Sequence, residues 1–267
     1  MKAFDLINQF EKFAPKEIAV EHDPIGLQIG SINQEIHKVL VTLDVRPEVV
    51  EEAIENDCDM IFSHHPAMFR PVKNMDLDVP QNKMYADIIK HNIVVYSAHT
   101  NLDNADGGMN DWLAEAMDLR NVEGLVGQGE YKGVEYFMGR IGELKETTTV
   151  EQFARNCKEY FNVSGLRLIS HELNKPVKKV AVLGGDGGKF YNIAKDKGAD
   201  VYVTGDVYYH VGHDMIADHM SVVDPGHHIE SICKPYLAEM FKEWAKDYDW
   251  PIDVIESSIN TDPYQFI

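Results

Sequence analysis

Histidines and acidic residues in this sequence follow strand-like apolar runs, the position where binding sites of α/β proteins form. The carboxyl ends of parallel strands lie at one edge of a sheet, and ligands bind there. Imidazole nitrogens and carboxylate oxygens are ligands for zinc, iron, manganese, cobalt and nickel. The residues that share this position are His64, His65, His99, Asp103, Asp206, His227, His228 and Glu230. The sequence therefore predicts a metal site at the ends of its strands.

The predicted site has enough ligands for two metal ions. Two cations about 3.5–4 Å apart repel one another unless bridging carboxylate or hydroxide oxygens neutralise them. Asp103 and Glu230 are the acidic residues suited to this role. The side chains of His64 and His65 point to different sides of an extended strand end, so each could bind a different metal. The alternative is that the histidines are ordinary polar loop residues. Their repeated placement after strands, together with acidic residues, favours a metal site.

The strands that carry these residues belong to a repeat within the chain. Segment 38–65 aligns without a gap to segment 179–206, at an offset of 141 residues. Each segment has an apolar run, a stretch of helical length and a second apolar run, which is the pattern of a β-α-β unit with parallel strands. Segment 92–99 likewise matches 220–227, and each ends in a histidine. The predicted fold class is α/β, with two similar three-layer domains from an internal duplication.

The two predicted repeats cover residues 1–122 and 123–267. The first contains the His-His-Pro and TNLD motifs, and the second contains the GGDGG, TGD and GHHIE motifs. A helix is expected at 149–161, where Thr148 and Glu151 fit a capping box at its start. Whether the two halves lie side by side or exchange strands stays open at this point.

The composition argues against several classes of protein. Asp plus Glu is 44 and Lys plus Arg is 25, which gives a net charge of −19. Such a surface repels phosphate backbones and anionic lipid, so neither general nucleic-acid binding nor membrane binding is expected. No apolar run approaches the roughly 18 residues that span a bilayer. The three cysteines form no CxxC pair, which favours a reducing cytoplasm over a disulfide-stabilised protein.

Three further features each allow two interpretations. The GGDGG run at 184–188 follows a strand and begins a helix, so it either receives a phosphate or forms a tight turn. Arg70 and Lys73 follow the His-His-Pro motif, where they either receive an anionic substrate or serve solubility. His210 and Asp214 lie four residues apart on an expected helix, on a solvated face or oriented towards the ligands.

Several motifs resemble those of one family, and they read SHHPAMFRPVK, AHTNLDNADGGMNDWLAE, TGD and DPGHHIE. The family is that of the GTP cyclohydrolase I type 2 homologues, or Nif-like dinuclear metal-centre hexameric proteins. Segment 22–30, HDPIGLQIG, is also similar to the family's WDNVGLQVG motif, with His22 at the aromatic position. The resemblance spans nearly the whole chain. It implies two similar α/β domains, two metal ions in the cleft between them and a toroidal homohexamer.

The resemblance also implies a ligand set when the family's motifs are matched residue by residue. The implied metal ligands are His64, His65, Asp103, His227 and Glu230, with His99 nearby as an extra ligand or an acid/base. Many members place the last glutamate four residues after its histidine, whereas Glu230 comes three after His227. Both spacings put the pair on one face of a helix, so the assignment is kept. Some members contain an inserted middle domain, for which this chain has no room.

Two functions from different classes fit a pair of metal ions. The first is a hydrolase in which His99, Asp206 or His210 moves protons. The resemblance implies attack on the imidazole ring of a purine nucleotide such as GTP, and hydrolysis of a phosphoester is equally compatible with such metals. The second is a non-enzymatic protein for metal storage, metal delivery or regulation. The expected cofactors are two divalent ions of zinc, iron, manganese, cobalt or nickel. The expected partners are further copies of the chain and a small anionic substrate, and the expected location is the cytoplasm.

Overall fold

Two sheets, each covered by helices, make up the computed structural model, which describes residues 1–267. The strands are β1 (Gly26–Ile29), β2 (Lys38–Thr42), β3 (Met60–Ser63), β4 (Val94–Ser97), β5 (Arg120–Tyr131), β6 (Val134–Thr149), β7 (Arg167–Ile169), β8 (Pro176–Val182), β9 (Val201–Val203), β10 (Ser221–Asp224) and β11 (Asp253–Glu256). The α-helices are α1 (Ala3–Phe13), α2 (Pro47–Glu55), α3 (Pro80–Lys90), α4 (Thr100–Asn104), α5 (Met109–Ala116), α6 (Val150–Tyr160), α7 (Tyr191–Asp196), α8 (Tyr209–Ala217) and α9 (Cys233–Asp247). Short 3₁₀ helices form at Lys16–Ile18, Gly188–Phe190 and His227–Ile232.

The chain divides into two compact units, one around each sheet. Unit 1 consists of Met1–Leu102 and Cys233–Thr261, and unit 2 consists of Asp103–Ile232 and Asp262–Ile267. None of the helices combines the length and the apolar character that crossing a membrane requires.

The sheet of unit 1 has the strand order β1-β4-β3-β2-β11, and only β1 is antiparallel to its neighbour. Side chains alternate between the two faces of a strand, and both faces are buried here. One face contributes Leu40 and Ile61 to a core with α2 and α3. On the other face, the ring of Phe62 lies 4.8 Å from the rings of both Phe10 in α1 and Phe241 in α9. Helices therefore cover the sheet on both sides.

The sheet of unit 2 has the order β5-β6-β8-β9-β10-β7. Four of its six strands are arranged like four strands of the unit 1 sheet. In each unit an antiparallel edge strand is followed by three parallel strands, β4-β3-β2 in unit 1 and β10-β9-β8 in unit 2. Ala181, Tyr202 and Val222 pack in one core with residues of α7 and α8. The predicted two-domain α/β fold class is confirmed.

The compact units do not follow the order of the chain. The segment after Ile232 forms α9 and β11, and it packs in unit 1, where β11 pairs in parallel with β2. The carboxylate of Glu52 in α2 accepts hydrogen bonds from Ser257 and Ser258, which hold the end of this segment. The predicted repeats, 1–122 and 123–267, were defined by sequence similarity and stay a prediction. The two units are defined differently, by which parts of the chain pack together.

The start of α6 differs by one residue from the predicted capping box. The N-cap is Thr149, whose side-chain oxygen accepts the N–H of Gln152 at 3.2 Å. The expectation for Thr148 and Glu151 is wrong because β6 continues to Thr149 before the helix begins. Thr149 supplies the same kind of cap, since its hydroxyl satisfies a free N–H of the first turn.

Candidate metal site

Unit 1 brings His64, His65 and His99 together at the ends of β3 and β4. One ring nitrogen of each residue lies within 4.8 Å of the corresponding nitrogens of the other two. His64 is fully buried, whereas the side chains of His65 and His99 are about one fifth exposed, at 22% and 21%. We call these three residues the histidine cluster. Imidazoles so close together, and open to solvent on one side, are placed to share a cation.

Each imidazole of the histidine cluster has its Nδ1 bound to an oxygen. The pairs are His64 with the carbonyl of Ala98 (2.8 Å), His65 with Oδ1 of Asp44 (2.7 Å) and His99 with Oδ1 of Asp23 (2.9 Å). Carbonyl and carboxylate oxygens only accept hydrogen bonds, so each Nδ1 donates its proton, and the lone pair of the neutral form of each ring is at Nε2. Metal-binding histidines in proteins are oriented in this way. The donor set of the cluster therefore fits a divalent metal ion.

The ends of β3 and β4 are fixed by hydrogen bonds of their own. The hydroxyls of Ser63 and Ser97 lie 2.7 Å apart, and the Ser63 hydroxyl also donates to the carbonyl of His65 at 2.9 Å. The N–H groups of His64 and His65 continue the parallel ladder with β2 by donating to backbone carbonyls. The backbone that presents the two histidines is therefore set by the sheet.

Asp23 holds the turn that follows β4 as well as His99. Its Oδ2 accepts both the backbone N–H and the hydroxyl of Thr100. Burial by itself raises the pKa of the Asp23 carboxyl, but the hydrogen bonds from His99 and Thr100 outweigh burial and hold that pKa below its usual value. The side chain is therefore a carboxylate, which favours the proton at Nδ1 of His99.

Unit 2 brings His227, Glu230 and Asp206 together beside β9 and β10. Nε2 of His227 lies 3.1 Å from Oε2 of Glu230, a carboxylate that is almost fully buried. Nδ1 of His227 lies 2.8 Å from Oδ2 of Asp206. Nδ1 of His227 thus has an oxygen acceptor as its partner, as does Nδ1 of each residue in the histidine cluster. Its Nε2 and the Glu230 carboxylate form a nitrogen–oxygen pair that suits a divalent cation.

Two glycines allow loops to approach these side chains. Gly185 has a φ of +65°, and a Cβ there would lie 3.0 Å from Oε1 of Glu230. A Cβ on Gly205 would lie 2.8 Å from the backbone nitrogen of His227, where the chain has no room to move aside. The GGDGG and TGD motifs therefore let the backbone pack against His227 and Glu230. This packing supplies a structural reason for these glycines.

The remaining predicted residues take different positions. Asp103 is half-buried in α4, and its carbonyl accepts a hydrogen bond from the side chain of Asn110 at 3.0 Å. His210 is exposed in α8, and its contacts are with the rings of Tyr208 and Tyr209. The structure therefore does not bring His210 into contact with Asp206, His227 or Glu230.

Asp23 and Asp44 were not among the predicted site residues. Asp44 follows β2, so the rule that places functional groups at strand ends could have found it. Asp23 lies in the segment HDPIGLQIG, where the sequence pointed to a family motif without a role for its acid. Both residues act on histidine nitrogens across long sequence separations, which one sequence does not reveal.

The sequence and structure have clear relatives among known proteins. A family model described as Duf34/NIF3 (NGG1p interacting factor 3) matches residues 1–263. The chain belongs to this family. A Streptococcus pneumoniae protein named GTP cyclohydrolase 1 type 2 homolog is 40% identical to it over 100% of both chains. A Lactococcus lactis protein of the same name is 38% identical over 99% of both.

A solved structure supports the same Duf34/NIF3 membership. The crystal structure of a Bacillus cereus protein related to NIF3 has a TM-score of 0.96 and 32% identity, covering 100% of this chain and 99% of the other. The resemblance that the motifs indicated is therefore confirmed.

We expect Asp44→Ala to weaken metal binding by this Duf34/NIF3 member about 10- to 100-fold, because His65 loses the acceptor that orients its ring. Competition with a chelator of known affinity measures the change. Asp87→Ala is the matched control, since that carboxylate pairs with Lys83 within α3. Equal metal affinity in wild type and Asp44→Ala would show that the contact does not support a metal ligand.

Proposed function

We propose that this protein is a metal-dependent hydrolase that acts on a nucleotide or another phosphoester. Its two divalent ions would be held by His64, His65, Asp103, His227 and Glu230. The observation that supports this most strongly is the common orientation of His64, His65 and His99, whose Nδ1 atoms all face oxygen acceptors. The homohexamer implied by the resemblance is part of the same proposal.

The protein's own residues would orient the site and handle protons. Bound divalent ions would act as Lewis acids on the substrate and lower the pKa of water. Asp44 fixes the ring of His65, and Asp206 fixes the ring of His227, so both acids are positioning residues. His99 has a carboxylate behind Nδ1, and its neutral form has the lone pair at Nε2, which would suit it to accept a proton and hold it.

The other predicted proton carriers fit less well. Asp206 binds Nδ1 of His227, which leaves it a positioning role rather than contact with a substrate. His210 contacts only tyrosine rings, so we assign it no proton transfer. The name GTP cyclohydrolase 1 type 2 homolog, given to the Streptococcus pneumoniae relative, supports a nucleotide as the substrate.

The proposal is tested by removing bound metal with a chelator and restoring zinc, iron, manganese, cobalt or nickel separately. Each form is then assayed on GTP, other nucleotides and simple phosphoesters. We expect turnover of at least one substrate with at least one metal, and none in the chelated protein. Stoichiometric metal binding without turnover on the whole panel would contradict a hydrolase and favour metal storage or delivery.

A further inference from the structure

A cavity of about 290 Å³ lies within unit 1 beside the histidine cluster. His65 forms part of its wall, so a molecule in the cavity would lie next to one of the proposed metal ligands. Other residues of the wall include Asp44, Arg46, Arg70, Phe69, Gln81 and Tyr85. Its volume is near the lower end of the range for small-molecule sites, roughly 300–1,000 Å³.

Both arginines of unit 1 line this cavity. Arg46 and Arg70 are the only arginines in the residues that make up the unit. Arg46 donates one long hydrogen bond to Gln81, at 3.4 Å, and neither guanidinium forms an ion pair. Both arginines are exposed, and the carboxylate of Asp44, which also lines the cavity, binds His65 and Thr261 rather than either guanidinium.

The arginines of unit 2 are in a different situation. Each of them pairs with an acid, and the pairs are Arg120 with Asp118, Arg140 with Asp111, Arg155 with Glu151 and Arg167 with Asp224. The chain has 44 acidic residues and 25 basic ones, so carboxylates are abundant partners. Against that background, the two unneutralised guanidinium groups are available to an anion.

We propose that Arg46 and Arg70 bind the phosphate group of the substrate in this cavity, next to His65. The planar fork of a guanidinium matches the oxygens of a phosphate and can bind two of them at once. The ring of Phe69, 63% exposed, offers an apolar surface for the part of the substrate that carries the phosphate. This inference rests on the proposed hydrolase function, because it names the group by which the substrate of that site is held.

Titration calorimetry of inorganic phosphate into the metal-free, full-length protein tests the arginines separately from the metals. We expect wild type to bind phosphate, and Arg46→Ala and Arg70→Ala each to bind about tenfold more weakly. The double variant is expected to lose binding, and higher ionic strength is expected to weaken it in wild type. Arg155→Ala is the matched control, because it removes a guanidinium that already pairs with Glu151 on the surface of α6.

Variants that retain a positive charge separate binding from folding. Arg46→Lys and Arg70→Lys are expected to bind phosphate with affinities between those of wild type and the alanine variants, since lysine lacks the fork. A nucleoside without phosphate is the ligand control, and its binding is expected to be insensitive to all of these changes. Equal phosphate affinity in wild type and the double alanine variant, or no phosphate binding by wild type, would overturn the inference.

The same variants distinguish this inference from the proposed function. Loss of phosphate binding with unchanged metal content would support the arginine site even if no substrate were hydrolysed. Turnover of a phosphoester with an unchanged KM in the double alanine variant would refute the arginine site and leave the hydrolase intact.

Discussion

Replacement of His65 by alanine is expected to lower metal occupancy and to reduce hydrolytic turnover by about 100- to 10,000-fold. Metal ions contribute several kcal/mol to such reactions, and each 1.36 kcal/mol corresponds to a factor of ten in rate. His65 is the member of the histidine cluster that Asp44 orients and that borders the arginine-lined cavity. Its loss therefore affects both the proposed metal and the position of the substrate beside it. Metal content and turnover are measured on the same preparations.

His91→Ala is the matched control for this experiment. His91 is an exposed residue of unit 1 at the end of α3, where its ring contacts only the backbone carbonyl of Asp87. We expect that variant to retain the metal content and turnover of wild type. Unchanged turnover in the His65 variant would remove this residue from the proposed site.

Replacement of Arg140 by alanine is expected to destabilise the protein by about 1.5–3 kcal/mol, because the Asp111 carboxylate and three backbone carbonyls lose the charged group that donates to them. Arg140 in β6 is 4% exposed, and its Nε and Nη2 each donate to the carboxylate of Asp111 at 2.7 Å. It also donates to the backbone carbonyls of Ala105, Phe137 and Gly139. Urea unfolding at neutral pH measures the loss in free energy of unfolding.

Arg120→Ala provides the contrast within the same unit. Arg120 and Asp118 are also 2.7 Å apart, but both side chains are more than 60% exposed. An exposed ion pair contributes about 0–1 kcal/mol, so the free energy of unfolding of that variant is expected to be close to that of wild type. Equal destabilisation by the two substitutions would show that burial of the Arg140 network does not determine its contribution.

The Arg140 network also connects the fold of unit 2 to the candidate site. Asp111 lies in α5 next to Asn110, whose side chain donates to the carbonyl of Asp103 and accepts the N–H of Gly184. The start of α5 is thereby fixed to both the helix of Asp103 and the GGDGG loop. We therefore expect the fraction of Arg140→Ala protein that is folded to bind metal more weakly than wild type.

Strand positions and the histidine cluster were predictable because their signals are local. The apolar runs at 60–62 and 201–203 fall in β3 and β9, and the sheets of the two units have corresponding strand orders. Once the strands are located, parallel pairing brings the residues after β3 and β4 to one edge. His64, His65 and His99 meet there for that reason.

Other features depend on contacts between distant parts of the chain. The sequence left open which sheet would receive the last helix and strand, and α9 with β11 packs in unit 1. The hairpin of β5 and β6 was not predicted, since its strands are largely exposed near the turn at Lys132 and Gly133. The roles of Asp23 and Asp44 required the positions of His99 and His65 in space.

The most direct test of a metal-binding function is the metal content of protein purified without chelators and without added metal. Elemental analysis of wild type and His65→Ala, at known protein concentration, gives the number of ions per chain. We expect about two divalent ions per wild-type chain and clearly fewer in the variant. The proposed function would be contradicted if wild-type protein contained no stoichiometric metal and took up none when zinc, iron, manganese, cobalt or nickel was added.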